Sequence, residues 1–240
     1  MPGRELEYAA KPALTDQVRR LAGAERPVIL VEGTRKLPDA MRPALVAMGR
    51  RLAEALPRAV FRTGGASGSD EAFAEGVRSV DPCRVEYVLP QAGHRAKSRD
   101  ARSPAFVLEQ LADTGLRAVA EQTVAASPRY EGLARRYVQN KRSGVLAVKT
   151  RYLLRDTLKV TGDPERNLPG ADLGIFYVDE ANPLSGGTGH TIRVCLRHGV
   201  PVYTQDQWAT EGFPSSSVGP ASAVAGLPIH SSMGCRSAPG

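Results

Sequence analysis

Val28-Ile29-Leu30-Val31-Glu32-Gly33-Thr34 sets four apolar residues in a row before an acid, a glycine and a hydroxyl. A run without polar alternation suits a strand buried on both faces, and Glu32-Gly33-Thr34 predicts the tight turn that ends it. Downstream, Met41, Leu45, Met48, Leu52 and Leu56 recur every three or four residues, so a helix from about residue 39 turns one apolar side inward. Pro57 stops it. Ala59-Val60-Phe61 then begins the same pattern again. Thr63-Gly64-Gly65-Ala66-Ser67-Gly68-Ser69-Asp70 is the turn, and Ala72, Phe73, Gly76 and Val77 lie on the next helix.

Arg84–Leu89 predicts a third strand. The stretch Gln91–Ser103 after it is polar, basic and longer than a minimal connection, and loops of that kind often carry function. Residues 104–161 read mostly as helix, with Phe106, Leu108 and Leu111 early and Leu146, Leu153, Leu154 and Leu158 late, interrupted near Ser127-Pro128 and Ser143-Gly144. A fourth strand, Asp172–Val178, leads through Pro183-Leu184-Ser185 into Gly186-Gly187-Thr188-Gly189-His190. A helix carrying Ile192, Cys195 and Leu196 follows and closes at Gly199, and Val200–Tyr203 is the fifth strand. Strands alternating with helices imply a mainly parallel sheet covered on both faces, a doubly wound α/β single domain. Its expected span is residues 27–211. A polar amino-terminal extension over 1–26 precedes it, and a mobile tail over 212–240, rich in Ser, Gly, Pro and Ala, follows.

With 240 residues, 42% of them hydrophobic, the chain can bury a sizeable core, which sets aside disordered, collagen-like and disulfide-scaffold classes. Its 32 Lys and Arg against 25 Asp and Glu leave +7, a balance that favours anionic partners such as nucleotides or nucleic acid. Cys83, Cys195 and Cys235 are widely spaced and suggest neither a zinc site nor a disulfide framework, so no metal is expected and a reducing cytoplasm fits best. No apolar run approaches the ~20 residues of a membrane helix. A soluble cytoplasmic protein without membrane association is the expectation.

In an open α/β sheet, ligands settle beyond the carboxyl ends of the strands, where helix amino termini present unpaired N–H groups. Three glycine turns stand at such places here: Gly33-Thr34-Arg35, the turn over 63–70, and Gly186–His190. Glycine reaches positive φ, and its missing Cβ lets a phosphate or base approach the backbone. The second turn lacks the Lys-Ser/Thr ending of a P-loop, and no acidic residue in the expected context marks a ribose after the first strand. An ordinary dehydrogenase or P-loop NTPase is therefore disfavoured.

The three turns together, followed by Gly199-Val200-Pro201-Val202, resemble the SLOG superfamily over about residues 27–205. This is the Rossmann-like group that holds the DNA-processing protein DprA and the LOG phosphoribohydrolases. The resemblance implies that the second and third turns form one pocket for a nucleotide or nucleotide-derived ligand. Its phosphate would sit on backbone N–H groups around Gly64, Gly65, Ser67, Gly68, Gly186, Gly187, Thr188 and Gly189. The segment Leu153–Gly162 is similar to a helix found in some SLOG proteins, which adds Arg155 to the set. Asp156 stands there where Asn is usual. LOG enzymes carry Pro-Gly-Gly-x-Gly-Thr with acids just after it, and Ser185, His190, Ile192 and Arg193 depart from that pattern.

Asp70 either orients its turn, touches a ligand hydroxyl or caps the following helix. Arg35 either pairs with phosphate or is solvated. His190, at a helix amino terminus, is favoured in its neutral form and could exchange a hydrogen bond with a ligand, while His94 and His198 have no partner the sequence specifies. Asp70, Glu71 and His190 are the candidates for catalysis if any bond is cleaved. Residues 129–166 hold ten Lys or Arg against four Asp or Glu, a basic face that either meets solvent or binds nucleic acid. The leading expectation is binding of a nucleotide-type ligand, sensing or regulatory in role, by a homo-oligomer, with no cofactor identified. N-glycosidic hydrolysis of nucleoside monophosphates and DprA-like binding of single-stranded DNA are the alternatives.

Overall fold

In the computed structural model, which describes residues 12–139 and 147–209, the first apolar run becomes β1 (Val28–Gly33), buried along its whole length. β2 (Val60–Thr63), β3 (Val85–Leu89), β5 (Leu173–Tyr177) and β6 (Val202–Tyr203) take up the other expected strands. One further strand, β4 (Ala105–Val107), lies at the edge beside β3. The resulting six-stranded sheet has the order β4-β3-β2-β1-β5-β6, and all its pairings are parallel. The fold is α/β and Rossmann-like.

Successive side chains of a strand point to opposite faces, so each strand feeds two cores. Ile29 and Val31 join the core beneath α2 (Arg42–Ala55) and α3 (Ser69–Arg78), and Leu30 joins the core beneath α7 (Gly186–Arg197). The helices α4 (Asp113–Ala126), α5 (Glu131–Gln139) and α6 (Ala147–Thr161) pack with Val88 of β3 on a third cluster. Arg62 and Glu86, paired in register across β2 and β3, are both buried, with Arg62 Nε donating to Glu86 Oε1 at 2.6 Å. Arg62 Nη1 also donates to the carbonyls of Lys159 and Pro169, tying the sheet to the end of α6.

Two expectations need correction. Residues 104–161 are not helical from their start, because Ala105-Phe106-Val107 pairs with Tyr87–Leu89; three residues at a sheet edge are too few to show a period. The segment before residue 27 is not wholly an extension. Its residues Leu14–Ala22 form α1, with Leu14, Val18 and Leu21 buried in the first core, and Tyr203 OH donates to Pro12 O at 2.5 Å. The spacing of those three apolar residues is helical, but the charged residues between them mask it. The tail over 212–240 lies outside the described residues. Among the described residues no helix is long and apolar enough to cross a membrane.

From β1 the chain builds outward through β2, β3 and β4, then returns through α4, α5 and α6 to place β5 on the other side of β1. The connections leaving β1 and β5 therefore diverge, which opens a crevice beyond their carboxyl ends. That crevice is where the glycine turns meet.

Candidate functional site

A cavity of about 450 Å³ occupies this crevice, lined by Glu32 to Lys36 at and beyond the end of β1, Ala66 and Asp70 from the second turn, the connection Asp179–Ser185, the start of α7, and one side of α6. Asp70 fixes the geometry. Its Oδ1 accepts from the Gly33 N–H at 3.1 Å, while Oδ2 accepts from Thr63 Oγ1 at 3.0 Å and the Ala66 N–H at 3.2 Å. Of the three roles open to it, this carboxylate orients the turns and has neither oxygen idle. Gly68 closes the same knot with φ +84°, and a Cβ there would crowd the carbonyls of Thr34 and Arg35.

The third turn is tied to the first by Thr188 Oγ1, which donates to Gly33 O at 3.0 Å. Because no side chain caps α7, its first-turn N–H groups at Gly186, Gly187 and Thr188 are left to the cavity they line. The second turn behaves differently. Its Gly65 and Ala66 N–H groups are taken by Thr63 Oγ1 and Asp70, so these two donors serve the turn itself and not the cavity.

What occupies the second turn is Arg155. A Cβ on Gly64 would collide with Arg155 Nη1, so only glycine lets the guanidinium lie against this backbone. Arg155 comes from α6, where Tyr152, Arg155, Asp156 and Lys159 fall at i, i+3, i+4 and i+7 and share one side. Leu154 and Leu158 point into the apolar cluster instead. Lys159 Nζ bridges Glu32 Oε1 at 2.5 Å and Asp156 Oδ1 at 2.8 Å. Arg155 Nε lies 3.4 Å from Asp156 Oδ1, an ion pair without hydrogen-bond alignment. All four charged side chains are at least nine-tenths buried, and Arg155 retains Nε and Nη1 with no hydrogen-bond partner.

Burial pushes the Glu32 carboxyl up to about 7, against the pull of Lys159 and with the help of Asp70 and Asp156. Asp156 goes the other way: burial raises it, but Lys159 and Arg155 outweigh that and hold it below the ordinary aspartate value. The floor thus holds one carboxyl that changes charge near neutrality and one that stays ionised.

Gly33, Thr34, Arg35, Asp70, Arg155, Gly186, Gly187 and Thr188 are brought together around the cavity. Other expected residues are not. His190 is fully buried between helices, with Nδ1 at 2.9 Å from Ser127 Oγ and Nε2 at 3.0 Å from Thr157 Oγ1. Arg193 Nε donates to that same Ser127 oxygen at 3.0 Å. Burial lowers His190 to about 4, so it is a neutral core histidine and not a ligand contact. Glu71 pairs with Arg95 at 3.3 Å in a separate small hollow, Ser67 is exposed to solvent, and Gly189 packs against Leu184. His198 is exposed and meets Gln122. Glu32 and Lys159 were not among the expected site residues. Their signals were a charge ending an apolar strand and a polar stripe on an otherwise buried helix. Among the described residues no group of three His, Cys, Asp or Glu side chains is placed to hold a metal ion.

The sequence matches no protein-family model and no curated protein. Among solved structures, the chain is similar to DNA processing protein A from Helicobacter pylori, described for its single-stranded DNA binding mode. The identity is 14%, the likeness covers 77% of this chain and 67% of that one, and the TM-score is 0.38. A likeness of that size decides nothing about what this chain binds.

Proposed function

We propose that this chain binds a nucleotide or nucleotide-derived ligand in the cavity between β1 and β5, in a sensing or regulatory role. The observation that carries this reading is Arg155, a buried guanidinium lining the cavity whose Nε and Nη1 have no hydrogen-bond partner. Leaving a buried charged donor unsatisfied is costly, and a phosphate supplies what such a group lacks. The uncapped start of α7 adds oriented N–H groups and the positive end of a helix dipole. The layout of glycine turns that resembles the SLOG superfamily supports the same reading.

Isothermal titration of the purified chain with AMP, ADP and ATP tests it, beside native mass spectrometry for a nucleotide carried through purification. Arg155→Gln is expected to weaken binding by about tenfold or more, as loss of a charged hydrogen bond worth about 1.5–3 kcal/mol requires, with the melting temperature little changed. Failure of all three nucleotides to bind the wild-type chain overturns the reading.

A further inference from the structure

Beside the cavity, the Gly64–Ala66 turn separates it from a smaller hollow lined by Gly65, Glu71, Arg78, Tyr87, Arg95 and Arg99, and Asp70 lines both. The turn carries no large side chain of its own, but Arg155 covers it on one side and the Tyr87 ring on the other. Arg155 lies on Gly64, while Gly65, at φ +65°, is placed so that a Cβ would stand 3.0 Å from the Tyr87 ring. Over that ring, 5.8 Å from its centre, is Arg99, whose Nε is buried with no partner.

At the mouth of the cavity a second ring gathers charge. Tyr152 has Arg35 at 5.6 Å, Arg155 at 5.5 Å and the edge of His94 at 5.7 Å from its centre. His94 is held below the ordinary histidine value by burial and then by Arg155, Arg95, Arg99 and Arg35, so four guanidiniums converge on one imidazole. Arg95 has Glu71 and Arg155 has Asp156, but neither Arg35 nor Arg99 has an ion pair among the described residues. Inside the cavity Lys159 and Arg155 are balanced by Glu32 and Asp156. The uncompensated positive charge is therefore at the rim, beyond the place where a single phosphate would meet Arg155.

We infer that the ligand carries a chain of two or more phosphates. The first sits at Arg155 and the start of α7, and the next extends from there toward Arg35 and Arg99. The inference rests on the nucleotide reading above and sharpens it to nucleoside di- and triphosphates and their pyrophosphate-linked derivatives. Orphan donors at both ends of the path, Arg155 and Arg99, are what a phosphate chain would satisfy and a lone phosphate would leave half unmet.

Titration with AMP, ADP, ATP and a thymidine oligonucleotide tests it, using the wild-type chain, Arg35→Ser and Arg99→Ser, each checked for an unchanged thermal melt. ADP is expected to bind about tenfold or more tighter than AMP. Arg99→Ser should remove most of that advantage while changing AMP affinity by no more than about twofold, since Arg99 lies outside the cavity, and Arg35→Ser, at the cavity wall, should weaken ADP more than AMP. If AMP binds and ADP is no tighter, the phosphate chain is refuted and the nucleotide reading stands. An advantage for ADP that survives in both variants refutes the path through Arg35 and Arg99. Binding of the oligonucleotide with no binding of ADP or ATP overturns the inference in favour of a polymer, and no binding of any nucleotide removes the underlying reading as well.

Discussion

Glu32 and His190 are buried on opposite sides of α6, and their charges respond to acid in opposite senses. His190 ionises at about 4 in the folded chain against an ordinary 6.5. Between those values the unfolded chain holds a proton that the folded one refuses, so folding loses stability as the pH falls. Glu32 ionises at about 7 against an ordinary 4.5, so between those values the folded chain holds the extra proton and gains stability as the pH falls. Each effect amounts to about 3 kcal/mol at full extent, and between pH 6.5 and 4.5 they oppose one another. Glu32→Gln removes one side of the balance. The variant's melting temperature is expected to fall by about 5–10 °C over that interval relative to the wild-type profile. Differential scanning fluorimetry across the range checks this, and parallel profiles for the two proteins would show that the buried glutamate does not titrate there.

At the scale of elements, the closest helix contact is backbone against backbone. On α2, Gly49 lies under the Phe73 carbonyl, and Gly76 of α3 lies under the Val46 carbonyl, each with no room for a Cβ. Gly76→Ala is expected to lower stability by about 1–3 kcal/mol in urea denaturation while nucleotide affinity of the folded fraction is unchanged, because the contact is on the face of the sheet away from α6 and α7. Unchanged stability would mean that α2 and α3 separate at little cost. The elements legible in the sequence were those with long signals. Val28–Val31 is a continuous apolar run, α2 repeats its apolar residues over four turns, and the glycine turns mark strand ends. β4 escaped because three edge residues carry no period, and α1 because Arg and Gln separate its three core residues. The α6 stripe escaped for a different reason. Arg155 enters the expected site only through the resemblance, Tyr152 and Lys159 read as part of a basic face open to solvent or nucleic acid, and the return of α6 beside β1 turns that face into the floor of a cavity. His190 was misplaced by the same blindness to tertiary context, since a helix amino terminus has an inner as well as an outer side.

For the whole molecule, the +7 excess raises the question of nucleic acid. Single-strand binders combine a basic groove with exposed aromatic rings, each stacked base adding about 1–3 kcal/mol. The basic stretch over 129–166 has three tyrosines, and the fold has used each of them. Tyr137 is buried in the helical cluster, Tyr130 stands edge-on to His190 at 5.5 Å with Arg129 over its ring, and Tyr152 is flanked by Arg35, Arg155 and His94. Lys141 and Arg142 in that stretch lie outside the described residues. With stacking positions taken, what remains is charge, and binding through charge alone proceeds by counterion release and weakens steeply with salt. Fluorescence anisotropy with a labelled thymidine oligonucleotide is therefore expected to show weak binding at low salt. The binding should vanish near about 0.15 M, and Arg155→Gln should leave it untouched. Sub-micromolar binding at that salt, lost both in Arg155→Gln and when Lys141 and Arg142 are made Glu, would place a strand across the cavity and the basic face together and make nucleic acid the ligand.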